Sequence, residues 1–298
     1  MSQEISRNVR LVVVSIVVLA AILMVAVLPF TIPDTLDKIQ HAQQVRYDKF
    51  LAEGNPQAPL IQPTMALTGW TFPLYMSISM FAGIMLLFIA KPLFNGERWA
   101  KALTLVCLSI PSIGGAYMLV PYLNFVGEGF PPALFYMATG LIPYFTVILV
   151  DTKGLKAKLV NFWVYLMLGI LAAEAWSNGH AAHRIIEGHP ARPFYAEGIF
   201  ILQPARNVSW IAVIFLIAAI YLLALRKKSG WYAALFGATS AGLVGFATQF
   251  VRTATYDYLY QGLMGLAIVI TLLVPFVKDM MVDKNEGLKA SNSKGITL

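Results

Sequence analysis

Eight runs of mostly apolar residues recur along this chain, near 11–30, 70–90, 100–123, 131–150, 159–178, 208–225, 231–250 and 258–277. Each approaches the roughly 20 residues that a helix needs to cross about 30 Å of hydrocarbon. Barrel strands would read as short segments of alternating polarity, and the sequence has none. Composition agrees, because 58% of the residues are hydrophobic and only 12% are charged, about half the charged share of a soluble domain. The expected fold is an all-α integral membrane protein with eight transmembrane helices.

The distribution of charge orients the helices. Of 22 Lys and Arg, 15 lie in the N-terminal tail, the loops near 91–101, 151–158 and 226–230, and the C-terminal tail. The other seven, Lys38, Arg46, Lys49, Arg184, Arg192, Arg206 and Arg252, fall on the opposite face. Basic residues in short loops stay in the cytoplasm, so both termini are expected there, in a multi-pass protein of the cytoplasmic membrane. The net charge of +7 thereby belongs to topology and gives no reason to expect a nucleic-acid partner. The first run follows Arg7 and Arg10 and ends in Pro29-Phe30 without a small-residue cleavage site, which reads as a retained signal anchor. One cysteine, Cys107, excludes a disulfide framework.

The chain also echoes itself. Glu53-Gly54-Asn55-Pro56-Gln57-Ala58-Pro59 shares its spacing with Glu187-Gly188-His189-Pro190-Ala191-Arg192-Pro193. The basic turn before Trp99 matches the one before Trp231, and Gly114 and Gly115 find counterparts in Gly242 and Gly245. The expected organisation is two parallel four-helix repeats, 1–158 with an outer loop at 31–69 and 159–284 with an outer loop at 179–207, then a flexible cytoplasmic tail at 285–298. Parallel repeats imply a pseudo-twofold along the membrane normal, with the two loops meeting over the interface. A short interfacial helix is expected between Asp34 and Glu53, and Trp70, Phe72 and Tyr75 are expected as an aromatic belt.

Candidate chemistry concentrates at 174–194. Glu174 is the one acid inside an expected span, where a carboxylate costs roughly 2.5 kcal/mol or more; it either serves a ligand or pairs with Arg252 or Arg184. If helix continues past Gly179, then His180, His183 and Glu187 share one face. With His189, and His41 from the other loop, they supply imidazole and carboxylate donors suited to a metal ion by ligand type, or to hydrogen bonding with a quinol. Glu174, His180, His183, Glu187 and Arg252 are the expected ligand-binding set, and His180, His183 and His189 the metal set. Gly179 and Gly188 argue instead for an ordinary polar loop.

No expected span holds an interior histidine, so two imidazoles cannot clasp a haem inside the bundle. Acidic ladders, phosphate loops and nucleophile elbows are also missing. The layout is similar to that of haem-free, eight-span quinol-interacting subunits of respiratory complexes, a likeness of layout alone. The expected function is a haem-free membrane subunit of a multi-protein respiratory or electron-transfer complex, with a quinol or metal site at the outer face. The alternatives are a facilitator of a small neutral solute and a purely structural subunit. Cysteines placed at Ser229 and Ala58 should label from opposite sides of intact cells and spheroplasts; labelling from one side would overturn the topology.

Overall fold

The computed structural model of the chain describes residues 6–188 and 198–283. Its helices are α1 (Arg7–Ala26), α2 (Leu28–Ala52), α3 (Ile61–Phe94), α4 (Arg98–Pro121), α5 (Pro132–Asp151), α6 (Leu155–Glu187), α7 (Leu202–Ala224), α8 (Lys228–Val251), α9 (Asp257–Leu273) and α10 (Pro275–Met281). Among the described residues there is no strand. Seven helices among the described residues are long and apolar enough to cross a membrane. The pair α9 and α10, bent by 82° at Val274, makes an eighth span if counted as one. These features fit a multi-pass membrane protein.

The expected loop at 31–69 is mostly helix. In α2, Leu28, Ile32, Thr35, Ile39 and Gln43 are buried at intervals of three or four residues, a stripe that packs on α3. The other face is stapled at i,i+4 by Lys38 with Asp34 at 2.8 Å and by Gln44 donating to Asp48 at 2.8 Å, pairs worth about 0.2–0.5 kcal/mol each. Helix α3 then starts at Ile61, nine residues before the expected span. Ala58 is buried in the turn between them while Gln57 is exposed, so Gln57 is the residue at which the labelling test reads. The second expected loop, 179–207, shrinks likewise, because α6 runs through Gly179 to Glu187.

Helices α1, α3, α4 and α5 pack in that cyclic order, and so do α6, α7, α8 and α9. The two four-helix units join through α4 against α6 and α7, with α3 and α5 also touching α6. A twofold axis would require α8 to meet α1 and α3 as α4 meets α6 and α7. Those pairs have at most marginal contact, so the expected pseudo-twofold is not the relation between the units.

Within each unit, the last two helices approach closely at glycine. A Cβ on Gly115 would lie 2.5 Å from the Met137 nitrogen, and one on Gly245 would lie 2.8 Å from the Gly262 nitrogen. A polar side chain near the start of the last helix also reaches a serine on the second. Tyr136 donates to the Tyr75 carbonyl at 3.3 Å, so the Ser79 hydroxyl donates to Tyr136 at 2.6 Å. In the second unit Gln261 donates to Ser209 at 3.1 Å and to the Ala241 carbonyl at 2.8 Å. Asn178 donates to Gln261 at 2.9 Å and to the Asp257 carbonyl at 3.1 Å. All four helices of that unit are thus tied through two buried amides whose N–H groups are all satisfied.

The turns after α3 and α7 use one hydrogen-bond pattern. Asn95, Gly96 and Glu97 donate to the carbonyls of Lys91, Leu93 and Pro92, and Leu225, Arg226 and Lys227 to those of Tyr221, Leu223 and Leu222. Gly96 and Arg226 therefore hold equal places, both with positive φ, +80° and +60°. Arg226 lacks glycine's freedom, and Asp283 fixes it from two sides, accepting from Nε at 2.6 Å and donating its own N–H to the Arg226 carbonyl at 2.9 Å. By this register the counterpart of Trp231 is Lys101. Trp99 is exposed, whereas Trp231 is buried and donates to the Leu272 carbonyl at 3.2 Å. The two tryptophans do not do the same work.

Because the Gly245 contact is with backbone, Gly245→Ala should lower the thermal midpoint in detergent, by about 1–3 kcal/mol of overpacking. Nothing lies within 4 Å of a Cβ on Gly169, so Gly169→Ala should be neutral or gain up to about 1 kcal/mol of helix propensity. Equal midpoints for the two variants would contradict the packing described.

Candidate functional site

Helix α6 has 33 residues, about 50 Å at 1.5 Å per residue, so its last turns stand well beyond a 30 Å core when the rest of it spans. Gly179 does not break it because α7 needs the space: a Cβ there would overlap the indole of Trp210. Trp210 donates to the Trp176 carbonyl at 3.4 Å, pinning the two helices together at this level.

Around that contact lies a cluster of rings. Trp176 meets Tyr75 at 5.6 Å and Tyr117 at 6.4 Å, both edge to face. His180 lies 5.0 Å from Tyr117, 4.8 Å from Trp176 and 5.3 Å from Trp210. Phe72 closes the cluster against Tyr117 at 5.9 Å. Of the expected aromatic belt, only Trp70 is exposed; Phe72 and Tyr75 are core rings, at 0% and 8% exposure. His180 is buried at 5%, two residues beyond the expected span 159–178, in a helix that continues to Glu187. Its Nδ1 lies 2.9 Å from the Trp176 carbonyl. A carbonyl only accepts, so Nδ1 carries the proton and Nε2 is a bare acceptor. That Nε2 and the Trp176 Nε1 are both buried without a partner among the described residues.

His183 sits one turn further out and has the opposite tautomer. Arg206 can only donate, and its Nη1 lies 3.2 Å from His183 Nδ1, which leaves the proton of a neutral ring on Nε2. Arg206 is itself aimed by Asn207 at 3.0 Å and Gln203 at 3.3 Å. The Glu187 carboxylate is 3.9 Å from the same His183 nitrogen, too far for a hydrogen bond.

His183 and Glu187 line an open cleft of about 800 Å³ between the two units. Its first-unit wall is Pro59, Gln62, Pro63, Ala66, Leu67 and Trp70, and its second-unit wall adds Gly188 and Trp210. At its edge Gly188 packs against Leu60 and the Pro59 carbonyl.

The expected ligand set is therefore only partly assembled. His183 and Glu187 share the cleft, while His180 lies behind Trp210 among the rings. Glu174 is half-buried and has neither a hydrogen bond nor an ion pair among the described residues. The charge that bears on it most is another acid, Asp257. Neither expected arginine pairs with it: Arg252 donates to the Gly198 carbonyl at 3.0 Å, and the Arg184 Nε has no partner. Among the described residues no three of His, Cys, Asp and Glu converge to hold a metal ion. His189 of the expected metal set lies outside the described residues, and His41 is exposed on α2. Sequence reasoning missed Arg206, Trp176 and Trp210. The signal was available as i,i+4 spacing, Trp176 to His180 and Arg206 to Trp210.

The sequence matches no family model, and neither a curated protein nor a solved structure matches it at a significant level.

An unpaired Glu174 gives a signed outcome. Glu174→Gln keeps the shape and removes a half-buried charge, so the purified variant should melt at or above the wild-type temperature. A fall of about 3 kcal/mol, the cost of orphaning a buried partner, would show an ion pair after all.

Proposed function

We propose that the cleft between the units binds the head of a quinol, and that the chain is a haem-free membrane subunit of a multi-protein electron-transfer complex. The observation that carries this is the joint presence of His183, Glu187, Trp70 and Trp210 around one cleft of about 800 Å³. Trp70 and Trp210 offer flat apolar faces to a ring, and Pro59, Pro63, Ala66 and Leu67 offer a wall to an isoprenoid tail. Gln62, His183 and Glu187 supply the few convergent polar groups typical of small-ligand sites. Oxidation of a quinol releases two protons and two electrons. Glu187 is the base in the cleft and accepts one proton, and the other leaves to water at the open mouth. His183 donates its Nε2–H to the quinol oxygen, and the electrons pass to a redox centre carried by a partner subunit.

Facilitated transport of a small solute is the rival reading. The interior below the cleft is filled by the ring cluster and by the Thr71 to Tyr117 and Ser79 to Tyr136 hydrogen bonds, which favours a binding site over a passage. The finer architecture belongs to the same proposal: two duplicated four-helix units placed side by side, both termini cytoplasmic, and the quinol cleft on the outer face of the cytoplasmic membrane. The shared turn geometry and the paired Tyr136/Ser79 and Gln261/Ser209 contacts support the duplication.

Titration of the purified protein with a short-chain ubiquinol should quench tryptophan fluorescence saturably. Glu187→Gln and His183→Ala should each weaken that binding about tenfold, the loss of one charge-assisted or buried hydrogen bond. No saturable quench in the wild type would overturn the quinol reading. Mild-detergent extraction should bring down stoichiometric redox subunits; a monodisperse lone chain would remove the complex.

A further inference from the structure

A second cleft, of about 440 Å³, lies across α6 from the first. His183 and Glu187 face one side of the helix, while Ala181, Arg184 and Ile185 line the other. Three guanidinium groups converge there, Arg46 from α2, Arg184 from α6 and Arg252 from the turn after α8. These are three of the seven bases that the sequence assigns to this face, so the convergence is not a general coating of positive charge.

None of the three is in an ion pair among the described residues. Arg46 lies over the Phe125 ring at 4.8 Å, Arg252 spends one N–H on the Gly198 carbonyl, and the Arg184 Nε is buried with no partner. Among the described residues, Asp257 is the one carboxylate lining the cleft and makes no ion pair with any of them. Three cations against one acid among those residues, at the boundary of an apolar bundle, leave a deficit of negative charge. Guanidinium forks match the oxygens of phosphate and carboxylate, and at a membrane boundary phosphate is the anion that lipid headgroups supply.

We propose that this cleft binds a phosphate group, carried by an anionic phospholipid or free in solution. The apolar side chains beside the guanidiniums, Phe50, Ile61 and Ile185 among them, give the lipid form a place for its glycerol and upper acyl carbons. The site is independent of the quinol reading, because it uses other residues of α3 and α6, together with α2 and the turn after α8, which the first cleft does not touch.

The test is thermal unfolding of delipidated protein in neutral detergent with added phosphatidylglycerol, with phosphatidylcholine, or with inorganic phosphate. Phosphatidylglycerol should raise the midpoint saturably and phosphatidylcholine should not. Arg184→Gln and Arg252→Gln should each weaken the apparent affinity about tenfold, and Lys38→Gln, an exposed residue of the same face outside the cleft, should not. Stabilisation by inorganic phosphate to the same extent and with the same variant dependence would assign the free anion as the source. Stabilisation by neither phosphate form, or an equal response in all variants, would overturn the site. If Arg184→Gln does not yield folded protein, Arg252→Gln alone carries the comparison.

Discussion

Helices that already sit in hydrocarbon gain little by exchanging lipid contacts for leucine contacts. What holds them in one arrangement is close backbone approach, ring edges and hydrogen bonds with no competing water. The molecule uses these three devices in different places. Gly115, Gly140, Gly245 and Gly265 bring the last two helices of each unit together. The amides of Asn178 and Gln261 fasten the second unit internally. Between units the joint is aromatic, with the edge-to-face contacts of Trp176 to Tyr75 and Tyr117, each worth about 0.5–1.5 kcal/mol beyond area. The candidate site lies above that joint, where packing must already be tight.

The helical class and the span count were legible because hydrocarbon permits little else. The polar helix α2 was legible only in part: a short helix was expected between Asp34 and Glu53, but its start at Leu28 and its packing on α3 were not, because a hydropathy reading registers apolar length and α2 has a buried stripe only one residue wide. Its residues Leu28, Ile32, Thr35, Ile39 and Gln43 follow helical periodicity, but two of the five are polar, and Pro33 reads as an interruption. Pro33 is the sixth residue of α2, past the donors of the first turn that lack partners, so it costs the helix one ladder hydrogen bond without ending it. Gly179 misled for a related reason. A glycine in sequence signals flexibility, and only the neighbouring Trp210 reveals that the missing Cβ serves contact instead.

The same limit governs the site. That His183 and Glu187 share a face follows from i,i+4 spacing alone, and the structure places both on the cleft. That His180 belongs with the rings depends on Tyr117 and Trp210, far away in sequence. The matched tryptophans Trp99 and Trp231 show the opposite failure, where a likeness in sequence marked no likeness in place. Backbone geometry at Gly96 and Arg226 was the better guide, although no residue identity announced it.

Both clefts lie between a wall from the first unit and a wall from the second, and the walls differ in stiffness. Helices α2, α3, α4 and α5 all carry internal prolines, at Pro33, Pro73, Pro111 and Pro143 among others. Helices α6, α8 and α9 have none in their interiors. Each internal proline removes a ladder hydrogen bond and is where a helix bends. The unbroken wall is also the one cross-linked by Asn178 and Gln261, and it bears His183, Glu187, Arg184 and Arg252. Charged and proton-exchanging groups must be held within about 0.5 Å to act on a ligand, and under both proposals most of them, Arg46 of α2 excepted, come from the wall least able to move. The residues that need only exclude water and give shape, Pro59, Leu67 and Trp70 at one cleft and Phe50 and Ile61 at the other, come from the side that can adjust to what enters.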